Sequence, residues 1–209
     1  MHALICVVSD AKKGTSSTSG MQRTVETSIL FQHRLTIVPG RMRVIEKAIK
    51  ERDFDEFAKV TVADSNQFHA VCLDTSPPIF YLNDVSRSII QLIEEINRAS
   101  LADGGGYIAA YTFDAGPNAV IYALERNMPT IIAGINWFFP TDEPFSDPFE
   151  MTKKEVSMPK GFEAGMMRSG GWEKGAVKSL IHTRVGDGPR RLEVEASLLG
   201  EDGMPRHVT

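Results

Sequence analysis

The chain has 209 residues, 42% of them hydrophobic, and a formal charge of −4. That length and apolar content suit one domain with an extension and a real core. The acidic balance argues against nucleic acid and anionic membranes as partners, so any phosphate site has to be built locally. Leu4 to Ser9 is short, apolar and β-branched, and reads as a buried strand. The apolar run from Ala3 to Val8 is too short for a signal segment and ends in Ser9-Asp10, and no stretch approaches a membrane span, which makes a cytoplasmic location the expectation. Cys6 and Cys72 sit in apolar settings without paired spacing. Buried reduced thiols are expected there, and neither a disulfide framework nor a metal site.

After a polar loop, Gly20 to Ser28 opens a helix. Met42, Ile45, Ala48 and Ile49 recur at helical spacing, and Asp53 with Glu56 resembles a capping box for a helix burying Phe54, Phe57 and Ala58. Val85, Ile89, Ile90, Ile93 and Ile96 form a third stripe behind a cap at Asn83 or Asp84, and Gly104 to Gly106 end it. Strands follow at Tyr107 to Phe113 and Ala119 to Leu124, then a helix from Pro129 to Phe138. Pro140 to Met167 lacks periodicity and reads as an insertion, partly mobile. Val177 to Val185 gives a last strand, and a loose polar tail follows Pro189, taken as residues 191–209. The order is that of an α+β fold, a split β-α-β (ferredoxin-like) antiparallel sheet with a helical layer.

The chemistry concentrates at Asp114-Ala115-Gly116-Pro117-Asn118. A carboxylate ends an apolar strand there, directly before a Gly-Pro turn, where an active-site base belongs. The bland alternative is an Asx turn, with Asp114 closing the hairpin through its side chain. Ser65, Asn66 and His69 form a polar cluster read as satisfied structural groups on a helix. Trp137, Phe138 and Trp172 read as core or interface residues, and Gly186-Asp187-Gly188-Pro189 as a turn.

Four segments in order carry a resemblance: Val7 to Met21, Thr24 to Ser28, Asp64 to Asp74, and the Asp114 turn. Together they resemble diphosphomevalonate decarboxylase, nearest to fungal members over Pro77 to Arg87, with the match resuming at Gly170 to Lys174 and Gly186 to Pro189. The resemblance implies the C-terminal lobe of a two-lobed enzyme of the small-molecule kinase superfamily, spanning residues 1–190 with the insertion at 140–167. It implies no N-terminal ATP-binding lobe in this chain: Gly104 to Gly106 follows a helix and precedes a strand, the reverse of a phosphate loop's setting.

The family consumes ATP with Mg²⁺ and (R)-5-diphosphomevalonate and yields isopentenyl diphosphate, and its members form homodimers. On that basis Asp114 would be the catalytic base, with Ser16, Ser17, Thr18 and Met21 facing the substrate diphosphate. Those hydroxyls read equally as an ordinary helix cap. Bacterial relatives carry Arg where Thr18 stands, so Lys12 or Lys13 is the candidate source of positive charge. A non-catalytic module that pairs with itself or with a full-length relative is the alternative. Another kinase of the superfamily is disfavoured by the Asp114 segment.

Overall fold

A computed structural model describes residues 1–9, 17–167, 171–200 and 202–206. Four strands, β1 (His2–Val7), β2 (Ala109–Phe113), β3 (Ala119–Ala123) and β4 (Ser179–Arg184), form one sheet in the order β2-β3-β1-β4. All pairings are antiparallel, with Leu4 opposite Ile121 and Ile5 opposite Ile181. This is the split β-α-β arrangement the element order predicts, with β2 and β4 as edges.

Alternation along β1 and β3 sends Leu4, Cys6, Ala119, Ile121 and Ala123 to one face, where all are buried. Helices α4 (Asp84–Ala102) and α5 (Met128–Phe138) contribute to the core on that face. On α4, Val85, Ile89, Leu92, Ile93 and Ile96 make one continuous stripe, and Ile131, Ile132 and Ile135 of α5 join them. Asn83 is the cap of α4: its side chain accepts the Ser86 N–H at 2.9 Å in a capping box.

The helical layer differs from expectation in its second helix and in part of its third. Helix α1 (Ser17–Thr27) ends at Ser28, but a single helix α2 then runs from Ile29 to Glu51 with Pro39 inside it. Of its expected stripe only Ala48 is buried, while Met42 and Ile49 are 60% and 59% exposed. Polar ties hold it instead. Ser28 Oγ accepts the Phe31 N–H at 3.1 Å and donates to Asp74 Oδ2 at 2.7 Å, joining the start of α2 to the end of α3 (Phe54–Asp74). At the far end Arg52 adopts φ 58°, and the Asp53 N–H returns to the Ala48 carbonyl at 2.9 Å. Asp53 then caps α3 through the Glu56 N–H at 3.0 Å. Ala58 of α3 is buried, whereas Phe54 and Phe57 are half-buried, stacked on each other, and Phe57 stands edge-on to Tyr122 of the sheet.

Between Phe139 and Met167 the chain has two short 3₁₀ turns, yet Phe139, Met151 and Met167 are buried in the core and Phe145, Phe149 and Phe162 pack against it. Phe149 stands edge-on to His2 and His182, a buried pair joined Nδ1 to Nε2 at 2.9 Å. Trp137 is 78% exposed on α5, so it is no part of the core, whereas Phe138 is buried and Trp172 packs against it. Among the described residues no helix is long and apolar enough to cross a membrane.

Candidate functional site

The turn after β2 closes through the backbone: the Gly116 N–H donates to the Asp114 carbonyl at 2.8 Å. The Asx alternative is therefore not adopted. Among the described residues the exposed Asp114 carboxylate accepts no hydrogen bond. The turn itself is pinned on two sides. Asn118 Oδ1 accepts the N–H groups of Val8 and Ser9 at 2.8 and 3.0 Å, and Ser86 Oγ donates to the Pro117 carbonyl at 2.8 Å. Among the described residues the carboxylate has no hydrogen-bond partner, while the backbone that carries it is held.

Beside this turn lies a cavity of 370 Å³. Its walls come from Ser17, Gly20, Met21 and Thr24 of α1, Arg34 of α2, Phe68 and Cys72 of α3, then Ile79, Tyr81 and Ala115. The first turn of α1 and the neighbour of Asp114 thus share one concavity, although they are remote in sequence. Ser17 and Met21 line it; Thr18 is exposed and does not. Lys12, Lys13 and Ser16 lie outside the described residues. Two other cavities, of 380 and 530 Å³, sit beneath α2 and are not lined by residues 114–118.

Arg34 belongs to this wall and carries no signature in the sequence, and Tyr81, though inside the Pro77 to Arg87 segment, is not singled out there; the fold brings both to the cavity. Arg34 is held by Asp64 and by Gln67, whose Oε1 accepts from it at 3.1 Å and from Arg41 at 2.7 Å. Burial pushes the Asp64 carboxyl up, but hydrogen bonds from Arg34 and Arg41 and their charges together hold it below its ordinary value. Two guanidinium groups against one carboxylate leave a positive charge at this wall, which suits an anion.

Burial pushes the Tyr81 phenol up, with Cys72 and Asp114 adding to the effect and Arg23 opposing it. Burial drives the Cys6 thiol to about 12 and the Cys72 thiol to about 11, so both are inert, as expected of them. In the polar cluster on α3, Ser65 Oγ accepts the Phe113 N–H at 3.2 Å, Asn66 Oδ1 accepts from the Tyr111 hydroxyl at 3.1 Å, and the His69 ring hydrogen-bonds the Phe113 backbone; the buried His69 Nε2 has no partner among the described residues.

Gly104 to Gly106 does not fit a triphosphate. A Cβ on Gly105 would stand 2.6 Å from Ser100 Oγ, and one on Gly106 would stand 2.5 Å from Asp55 Oδ1. These glycines allow close packing against a carboxylate that would repel phosphate. Among the described residues no group of His, Cys, Asp and Glu side chains could hold a metal ion.

Comparison with known proteins agrees with this architecture. Residues 3–192 match the family described as mevalonate 5-diphosphate decarboxylase C-terminal domain. The diphosphomevalonate decarboxylase of Ganoderma lucidum is 56% identical over 99% of this chain and 52% of its own length. The solved structure of the Trypanosoma brucei mevalonate diphosphate decarboxylase superposes with a TM-score of 0.79 at 32% identity, over 95% of this chain and 52% of that one. The Enterococcus faecalis enzyme, solved for its mevalonate diphosphate mediated ATP binding mechanism, reaches a TM-score of 0.53 at 27% identity over 65% of this chain and 39% of that one. The chain spans about half the length of the curated relatives it matches. It belongs to the mevalonate 5-diphosphate decarboxylase C-terminal domain family.

Proposed function

We propose that this chain forms the half of an ATP-dependent diphosphomevalonate decarboxylase that carries the proton acceptor and the diphosphate-facing helix. The observation that carries the proposal is the Asp114 carboxylate. It is exposed and without hydrogen bonds among the described residues, on a pinned turn next to the cavity that Ser17 and Met21 line. A carboxylate left open in this way can accept a proton without first breaking a bond.

The substrate, (R)-5-diphosphomevalonate, carries a tertiary hydroxyl two carbons from its carboxylate carbon, and hydroxide is a poor leaving group. Asp114 takes the hydroxyl proton as that oxygen attacks the γ-phosphate of ATP, releasing ADP. The C–O bond to the new phosphate then breaks, inorganic phosphate departs, and the developing positive charge draws the electrons of the carboxylate C–C bond into a double bond. Carbon dioxide and isopentenyl diphosphate are the products. Ser17, the N–H groups opening α1 and the residual charge of the Arg34 and Arg41 pair face the diphosphate.

The described residues offer neither a phosphate loop nor a metal cluster, so the ATP phosphates and magnesium fall to the family's other half. The mevalonate diphosphate mediated ATP binding described for the Enterococcus faecalis relative supports ATP as a substrate of the whole enzyme. Homodimer formation, a cytoplasmic setting and a place in isoprenoid and sterol synthesis follow from the same family reading. No observation favours the non-catalytic module.

The test is a coupled ADP-release assay with ATP and diphosphomevalonate. The 209-residue chain alone should stay more than about a hundredfold below the ordinary rate of ~10 per second, because positioning supplies most of the acceleration in phosphoryl transfer. Joined to the preceding half of a fungal relative, it should turn over at that ordinary rate. A joined protein that binds both substrates and releases no ADP would end the proposal.

A further inference from the structure

Edge strand β2 has no neighbouring strand for the outward groups of its backbone, and two helices serve in place of one. At its start Asn97 of α4 accepts the N–H groups of Ile108 and Ala109 at 2.9 and 3.1 Å and donates to the Ala109 carbonyl at 2.9 Å. At its end α3 takes over. Ser65 Oγ accepts the Phe113 N–H at 3.2 Å, and one helical turn later the His69 ring lies edge-on to Phe113 with centroids 6.1 Å apart. Phe113 is the residue directly before Asp114.

Ser65 and His69 are only 4% and 8% exposed. The Ser65 hydroxyl is accounted for by Phe113, but the His69 Nε2 is not accounted for by any described partner. Leaving a buried polar nitrogen unpaired carries a desolvation cost that an apolar ring of similar size would avoid. Packing alone therefore gives no reason for an imidazole at this position. Its surroundings give one: the ring hydrogen-bonds the Phe113 backbone and lies within electrostatic reach of Asp114, and the Tyr81 ring stands edge-on to it with centroids 6.5 Å apart.

We propose that Ser65 and His69 are positioning residues for Asp114, clamping the last peptide of β2 so that the carboxylate leaves the sheet in one direction. The inference rests on the reading of Asp114 as the reacting carboxylate. The clamp completes the pinning of the turn by Ser86 and Asn118, which act beyond Asp114, whereas Ser65 and His69 act immediately before it. Burial pushes the imidazole below its ordinary value, while the Phe113 backbone hydrogen bond and then the Asp114 charge favour the imidazolium, which couples the ring to the residue it clamps and to the carboxylate beyond.

The test uses nuclear magnetic resonance on the whole 209-residue chain and needs no turnover. In an Asp114→Asn variant the His69 ring should titrate at lower pH than in the unaltered chain; an unchanged midpoint overturns the proposal. In a His69→Leu variant the amide resonances of Asp114 to Gly116 should move or broaden while those of α4 and α5 stay in place, and His69→Gln should restore most of the original positions. Resonances that ignore the leucine, or that shift as far with glutamine, overturn it equally. Should the leucine variant fail to fold, Ser65→Ala is followed through the same amides: their movement supports the clamp, and unmoved resonances overturn it. Because ADP release is not among these readouts, failure of the clamp and failure of the decarboxylase reading are distinguishable.

Discussion

Arg34 grips Asp64 with two prongs, Nη1 to Oδ1 at 2.9 Å and Nη2 to Oδ2 at 2.8 Å, and Arg41 adds a third contact to the same carboxylate at 3.0 Å. The three residues tie α2 to α3, where apolar burial is thin. Asp64→Ala would leave two guanidinium groups facing each other, and after allowing for partial exposure of the carboxylate it should cost about 1–2 kcal/mol. Thermal unfolding should show the drop, and it should shrink in high salt, which screens the repulsion left behind. The direct contribution of Asp64 itself has a definite pH sign. Its folded pKa is below its unfolded value of 3.8, so the stability it brings is present above that value and lost as pH falls below it.

A different window belongs to the histidines. Burial holds His2, His69 and His182 below their ordinary value of 6.5. The unfolded chain therefore binds more protons below 6.5, and stability declines as pH falls from that point toward the folded values. Each fully titrating residue contributes up to about 1.4 kcal/mol per pH unit. Melting temperature followed from pH 7.5 downward should begin to fall near 6.5, well above the carboxylate range. Replacing His2 and His182 together with Gln should flatten that slope; an identical slope would remove these two residues as its source.

Binding at the opening of α1 should be electrostatic and partial. Calorimetric titration of the chain with the substrate diphosphate at low ionic strength should detect weak binding that falls steeply with added salt. Ser17→Ala should weaken it several-fold, while Thr18→Ala should matter less because Thr18 does not line the cavity. Equal binding by the double variant would remove α1 from the substrate site.

The four strands and the stripe of α4 are legible in the sequence because each is a local pattern stabilised by burial on one face, and the cap of α4 is narrowed there to Asn83 or Asp84, of which the structure selects Asn83. Helix α2 is not legible in full. Its first half has no buried stripe and is held by Ser28, Arg34 and Arg41 reaching to α3, contacts that leave no periodicity. The β-prone run extends β2 back to Tyr107 and Ile108, but the strand begins at Ala109, beside the groups that Asn97 serves in place of a strand partner. At the site, Asp114 stands out through its turn and Ser17 through the family resemblance. Arg34 and Tyr81 reach the same cavity only through tertiary packing, and a buried nitrogen without a partner among the described residues, as on His69, is visible only once its neighbours are known.

The most direct measurement is the turnover of an Asp114→Asn variant in a chain joined to the other half of the family's enzyme. The substitution keeps the volume and an oxygen at the same place, and Asp114 makes no side-chain hydrogen bond among the described residues for folding to lose. Melting temperature and substrate affinity should hardly change, while the turnover number should fall by at least about a hundredfold, the usual contribution of a positioned acid or base. Near-normal turnover by that variant would contradict the assignment of Asp114 as the proton acceptor.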